Sequence, residues 1–267
     1  MKTALPPSVS FDAQAAQFDR RAGLPESDCC AIAAAALRLA GVRPGDGVLE
    51  IGAGTGLIGR WFLDHPVRYV GLDLSRGMLE DFRRRPGAAA AHLVQADGAR
   101  PWPLPGGSVR LVFSSRAIHL LPLELAVSEV LRVTAADGAC VLGWIERRPE
   151  SVKQRMSHEM RRRLRERGFL ERSGGHRRFL AVLRDRGAEE LETTVVARWP
   201  ARHTPRQSLD SWRSKTGLGG IVLPPGMQEE VLAGLETWAA ETFGSLDEPQ
   251  ETEEAYVLDG VRLPRKE

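Results

Sequence analysis

Between Val48 and Gly56 the chain reads Val-Leu-Glu-Ile-Gly-Ala-Gly-Thr-Gly, an apolar strand that closes on an acid and is followed by glycine at alternate positions. Gly52, Gly54 and Gly56 leave a strand-to-helix turn without Cβ atoms, so the main chain can take positive φ and a ligand can lie directly against it. Such a turn belongs at the carboxyl edge of a parallel sheet. The ligand it suits is flat and polar.

The surrounding pattern agrees. From Gly47 to about Trp144, short β-rich apolar runs alternate with helical stretches, which calls for βαβ units. Strands are predicted at Val48–Ile51, Arg68–Leu72, His92–Gln95, Val109–Ser114 and Gly138–Trp144. Helices are predicted at Leu57–Asp64, behind the glycines, and at Met78–Arg85, with Ser75 as N-cap. Upstream, Ser27–Ala40 is alanine-rich with a helical period. Phe11 and Phe18 lie seven residues apart, on one helical face, in a polar segment that could cover the sheet's ligand edge.

Downstream, basic residues outnumber acidic ones from Arg147 to Arg186, on one or two helices. A β-type run at Leu191–Trp199, helical stretches at Pro205–Lys215 and Pro225–Phe243, and a last apolar run at Ala255–Leu263 complete the chain. No Gly/Ser-rich linker divides it, so residues 1–267 read as a single domain. That domain has an N-terminal helical segment (1–46), a ligand-binding core (47–146), and cap helices with C-terminal strands (147–267).

Composition excludes several classes. No apolar stretch approaches the roughly 20 residues that span a bilayer, and the first residues lack a hydrophobic signal core, so a cytoplasmic protein without a membrane partner is expected. Cys29, Cys30 and Cys140 form neither a metal-ligand pattern nor an even disulfide framework, which fits a reducing compartment and no metal. Lys2, Lys153, Lys215 and Lys266 are the only lysines; the Arg bias is that of a GC-rich bacterial genome. A net charge of +2 argues against a nucleic-acid partner.

Two further carboxylates fall at the ends of successive strands, where an open α/β sheet binds its ligand. Asp73 closes Tyr69-Val70-Gly71-Leu72 roughly 20 residues beyond the glycines, the place for an acid that accepts from both ribose hydroxyls. Asp97, after Leu93-Val94-Gln95, is placed to accept from an exocyclic amine such as that of adenine, or else to form an Asp-Gly turn with Gly98. A dinucleotide would need similar groups, but its fingerprint is Gly-x-Gly-x-x-Gly, whereas here the third glycine comes one residue early, at Gly56. Glu50 would also repel a pyrophosphate and suits an ammonium.

These residues resemble the motifs of class I S-adenosylmethionine-dependent methyltransferases. The resemblance runs from Val48–Gly56 through Gly71-Leu72-Asp73-Leu74-Ser75 and Ala96-Asp97-Gly98. Its later part, Pro103–Ser108, Ser114–Leu121 and Glu129–Val133, is similar to the ubiquinone/menaquinone-biosynthesis-like small-molecule branch. Val109-Arg110 and Ala136-Asp137-Gly138 depart from that branch's usual Phe-Asp and Pro-Gly-Gly, outside the cofactor contacts.

The resemblance implies a doubly wound, mostly parallel, seven-stranded sheet with a helical cap, binding S-adenosylmethionine and releasing S-adenosylhomocysteine after methyl transfer to a small molecule. By it, Glu50, Gly52, Ala53, Gly54, Thr55 and Gly56 hold the methionine portion with Ser114, and Arg21 reaches the cofactor carboxylate. Asp73 holds the ribose, Leu74 and Met78 face the adenine, and Asp97 with Gly98 meets its edge. His119 is the candidate base and Trp144 a wall of the acceptor pocket. Leu209–Thr216 is similar to a lid segment of the trans-aconitate methyltransferase-like group, which implies that Trp212 and Arg213 meet a planar or anionic acceptor. An RNA or tRNA methyltransferase using the Arg147–Arg186 face and a non-catalytic S-adenosylmethionine-binding protein are the rival readings.

Overall fold

The computed structural model describes residues 24–169, 175–215, 217–219 and 221–264. Phe11, Phe18 and Arg21 lie outside them. Helix α1 (Glu26–Ala40) buries Cys29, Ile32, Ala33, Ala36, Leu37 and Ala40 along one face and ends at Gly41, whose φ of 61° lets its N–H reach back to the Arg38 carbonyl. Then follow β1 (Gly47–Ile51), β2 (Arg68–Asp73), α2 (Arg76–Arg83), β3 (His92–Gln95), β4 (Val109–Ser115), α3 (Leu123–Val133) and β5 (Thr134–Arg147). After these come α4 (Val152–Glu166), α5 (Gly175–Asp185), β6 (Glu189–Glu190), β7 (Thr194–His203), α6 (Pro205–Arg213), α7 (Met227–Phe243) and β8 (Gln250–Arg262).

The strands lie in the order β3-β2-β1-β4-β5-β8-β6, with β7 paired to β8. β1 is parallel to both β2 and β4, β2 to β3, and β4 to β5, whereas β6 is antiparallel to β8. The chain reverses its winding between β1 and β4, and at such a switch point the helices part and leave a crevice at the carboxyl edge. The glycine turn follows β1 at that edge.

The fold is the expected doubly wound sheet, with three local differences. Leu57–Asp64 forms no α-helix; only Gly59–Asp64 coils, as 3-10 helix. A Cβ on Gly59 would stand 2.3 Å from the Tyr69 hydroxyl and 2.4 Å from Glu50 Oε2, so the chain here is drawn tight onto the sheet. Eight strands rather than seven occur among the described residues, because Glu189–Glu190 pairs with Arg262 and Val261 separately from β7. Two exposed glutamates carry no β signal, as their side chains favour water over a pleated surface. The fifth strand runs from Thr134 to Arg147, well past Gly138–Trp144.

The described residues form two compact units: 24–144, 175–197 and 256–264 in one, and those within 145–169 and 198–255 in the other. The first centres on the sheet. Leu49, Ile51, Leu72, Val112, Val127, Val130, Cys140 and Leu142 form a cluster in its core, and Phe62 packs on Tyr69 and Phe113 at ring separations of 5.9 and 5.4 Å. The second holds α4, α6 and α7 around Met156, Met160, Leu164, Leu209, Val231 and Leu235. α6 starts with a capping box in which Thr204 and Gln207 each bond the other's backbone N–H, followed by Pro205 at the first helical position. No helix among the described residues is long and apolar enough to cross a membrane.

Within the second unit, Glu254 is 1% exposed and accepts from Arg147 Nε at 2.7 Å and from His203 Nε2 at 2.9 Å. Burial alone would push its carboxyl up, but the His203 bond and the Arg147 and Lys153 charges outweigh it and hold the group at about 2 instead of 4.5. The folded state therefore favours the ionised form, and the stability this gives is present above pH 4.5 and lost as pH falls from 4.5 toward 2. Denaturant titrations of Glu254→Gln should show a variant less stable than the parent near neutrality and lacking that acid-dependent loss.

Candidate functional site

The three glycines of the turn have φ of 74°, 56° and 75°, a region closed to most side chains. Their surroundings differ. A Cβ on Gly52 would come 2.2 Å from that of Ala117, and one on Gly56 would come 2.3 Å from the Phe82 ring, but at Gly54 the nearest atom is the Gly52 carbonyl, 3.9 Å away. The outer glycines thus let protein pack closely, while the middle one presents bare backbone to open space.

Asp73 ties this turn to the end of β2. Its Oδ2 accepts from Gly54 N at 2.8 Å and its Oδ1 from Ser75 N at 2.8 Å, while Gly52 N and Ala53 N donate to the Leu72 carbonyl. Ser75 caps α2 by accepting from Met78 N, as expected. The amphipathic helix turns Met78 inward with Leu79 and Phe82, so Met78 is only 2% exposed and Leu74 is the half-buried one. Of the two residues expected to face a ring, Leu74 has the surface to do so.

Glu50 lies beneath the turn. It is 2% exposed, and its Oε2 accepts from the Tyr69 hydroxyl at 2.5 Å. Burial pushes its carboxyl up to about 8, and the nearby Asp73 charge adds to that, against the opposing Tyr69 bond. Tyr69 is raised as well, by burial and by Glu50. Near neutrality, then, the pair is an uncharged internal strut. It is not the exposed anion whose charge was expected to turn away a pyrophosphate and hold an ammonium.

Asp97 realises the Asp-Gly turn: its Oδ1 accepts from Ala99 N at 2.9 Å, and Arg100 Nε lies 3.6 Å from Oδ2. Gly98 packs against Leu121, where a Cβ would come within 2.9 Å, and its carbonyl accepts from Trp102 Nε1. Ser114 is buried with its hydroxyl donating to the Ile51 carbonyl at 2.9 Å, which clamps β4 to β1 just before the turn. Thr55 is buried, and its carbonyl accepts from Arg85 Nε.

His119 is exposed, in a 3-10 turn at Ile118–Leu120. Trp144 is half-buried and stacked on His176, with ring centroids 4.0 Å apart and planes at 24°. Sequence reasoning missed His176, which lies inside an arginine-rich stretch that reads as a solvated face. It also missed Tyr256, whose hydroxyl donates to Ser115 Oγ at 2.7 Å and lies where a Cβ on Gly143 would be. Burial pushes the Tyr256 phenol above its ordinary range.

In the second unit, Trp212 packs on the apolar cluster. The Arg213 guanidinium is held by Asp210 at 3.3 Å and Glu236 at 2.5 Å. The basic face is similarly laced: Glu159 takes Arg162 and Arg163 at 2.6 and 2.8 Å, Arg162 also pairs with Glu166, and Arg167 pairs with Glu230. Among the described residues, no group of three or more His, Cys, Asp or Glu side chains could hold a metal ion.

Residues 48–138 match the family described as methyltransferase domain. The chain is 33% identical over 135 residues to malonyl-[acyl-carrier protein] O-methyltransferase of Serratia marcescens, covering 49% of this chain and 52% of that protein. It is 38% identical over 110 residues to demethylmenaquinone methyltransferase of Beutenbergia cavernae, covering 40% and 44%. The chain thus spans about half the length of the curated relatives it matches. The YcgJ protein of Bacillus subtilis shares the fold, with a TM-score of 0.57 at 19% identity over 90% of this chain and 99% of that one.

The Glu50 strut has a pH signature. Its folded carboxyl sits near 8 and its ordinary value is 4.5, so the folded chain holds a proton that the unfolded chain gives up, and stability falls as pH rises from 4.5 to 8. Glu50→Gln keeps a neutral partner for Tyr69 and should remove that slope. Denaturant midpoints compared across this range should converge at its acid end and favour the variant at its alkaline end.

Proposed function

We propose that this chain, whose residues 48–138 match the methyltransferase domain family, is a class I S-adenosylmethionine-dependent methyltransferase that transfers a methyl group to a small-molecule acceptor. The observation that carries the reading is the Gly52–Gly56 turn, whose middle glycine faces open space beside the Asp73 carboxylate at the sheet's switch point. That arrangement fits the cofactor. Backbone free of side chains suits close approach of the methionine portion, and a carboxylate at the end of β2 suits a ribose diol.

In this reading Gly52, Ala53, Gly54, Thr55 and Gly56 supply backbone to the methionine portion, and Ser114 fixes the strand that backs it. Glu50 supports the turn from beneath without touching the ligand. Asp73 accepts from the ribose hydroxyls, Leu74 gives the adenine an apolar face, and Asp97 with Gly98 borders its edge. Met78 anchors α2 in the core behind them. When bound, S-adenosylmethionine supplies a methyl group activated on a sulfonium, and S-adenosylhomocysteine is the product. The protein's share of the catalysis is to hold the acceptor atom about 3 Å from that methyl group, in line with the departing sulfur, and to keep water out.

Residues 145–173 and 198–255 are read as the cap of this one domain. A low-molecular-weight acceptor suits it better than nucleic acid, since the arginines of α4 are paired with carboxylates and the net charge is +2. Buried Cys29 and Cys140, with thiols pushed up to about 12 by burial, are inert packing groups compatible with the cytoplasm.

Calorimetry with S-adenosylmethionine, S-adenosylhomocysteine and NADH tests the reading: the first two should bind and NADH should not. NADH binding with neither of the others would overturn it. Asp73→Ala removes the diol acceptor and the Gly54 N partner together. With charged hydrogen bonds worth about 1.5–3 kcal/mol each, S-adenosylhomocysteine affinity should fall at least about 100-fold with little change in helix content by circular dichroism.

A further inference from the structure

We infer that His176, stacked on Trp144, is the group that accepts a proton from the methyl acceptor, and that the acceptor carries a neutral hydroxyl on a flat ring, as a phenol does. The inference rests on the methyl-transfer reading and gives it an acceptor class. Both rings belong to the sheet-bearing unit.

Trp144 follows Gly143, which is paired with Ser115 at the carboxyl end of β4. Two residues on, Ala117 packs against Gly52, so the β4 corner separates the glycine turn from Trp144 by one strand. α5 carries His176 as its second residue and packs on the 3-10 turn at Ile118–Leu120 that leaves this same corner. The imidazole is thereby fixed at the edge where an acceptor must lie, by a stack of 4.0 Å between centroids.

Its Nε2 is buried and has no hydrogen-bond partner among the described residues. A ring nitrogen left in that state costs stability and calls for an explanation, which a ligand hydroxyl donating to it would supply. Burial, together with the charge of Arg177 on the same helix, holds the imidazole below its ordinary pKa, against the opposing charge of Asp259 on β8. His119, on the turn packed against α5, is the other titratable ring at this corner. Near neutrality His176 is therefore uncharged and able to take a proton.

An uncharged base is useful only for an acceptor with a proton to lose. A carboxylate has none, whereas a phenol, with a pKa of about 10, must shed its proton as it is alkylated. In the step, the phenol oxygen gives a lone pair to the methyl carbon, the pair of the broken carbon–sulfur bond stays on sulfur, and the hydroxyl proton passes to Nε2. The resulting imidazolium then returns the proton to water. A planar acceptor also matches the flat face of the Trp144–His176 stack.

The test uses the full chain with S-adenosylmethionine and two probes, 2-naphthol for the phenol class and malonyl-N-acetylcysteamine for the carboxylate class, with S-adenosylhomocysteine release followed against pH. The inference expects 2-naphthol turnover that rises with pH through an acid limb. It expects His176→Asn to lower kcat by about 100-fold or more, to abolish the limb, and to leave S-adenosylhomocysteine affinity by calorimetry unchanged. Added imidazole should restore part of the rate to His176→Ala. Turnover of the malonyl probe alone, of neither probe, or of 2-naphthol without an acid limb or without loss in His176→Asn would overturn the inference, even with cofactor binding intact. Failure of the parent chain to bind either cofactor form would instead sink the methyl-transfer reading itself.

Discussion

The site depends on close approach of backbone to side chain at Gly52, Gly56 and Gly59, where no Cβ fits. At Gly59 the atoms in the way are Glu50 Oε2 and the Tyr69 hydroxyl, so the buried Glu50–Tyr69 bond and the tight coil above it define each other. Phe82 closes on Gly56 from α2, and Ala117 closes on Gly52 from the end of β4. With both flanks of the turn fixed in this way, its middle is left outward and bonded to Asp73. A turn held this rigidly needs no reorganisation to offer its side-chain-free backbone to a ligand, which lowers the ordering cost of binding.

The same packing changes the electrostatic argument. Read as an ion, Glu50 would set the charge preference of the site; held under the turn with its carboxyl near 8, it sets none at neutral pH. The carboxylate left at the open side of the turn is that of Asp73, half-buried beside Gly54. On the reading proposed above, discrimination between a ribose diol and a phosphate rests on that carboxylate and on the early third glycine, against which Phe82 packs.

What the sequence made legible follows physical locality. Strands β1 to β4, the Ser75 cap and the Asp97-Gly98 turn depend on neighbours within a few residues, and their residue types announce them. The coil at Gly59–Asp64 was not legible, because the close approach of Gly59 to Tyr69 and Glu50 is set by residues on other strands. Nor was β6, whose two glutamates pair only because β8 offers its edge. His176 was hidden for a similar reason: its neighbour in sequence is an arginine, and its partner in space is Trp144, 32 positions earlier.

The fate of the arginines bears on how an acceptor is recognised. Arg213 was the residue expected to grip an anion, yet Glu236 and Asp210 already occupy its guanidinium, and a carboxylate ligand would have to displace one of them at roughly equal electrostatic cost. Arg147 is likewise committed to buried Glu254, and Arg163 to Glu159. Inside the second unit these cations are thus already matched to carboxylates, while in the sheet-bearing unit the Trp144–His176 stack retains a polar atom without a partner among the described residues. On the inference drawn above, selectivity for the acceptor is built on shape and on proton transfer at that stack.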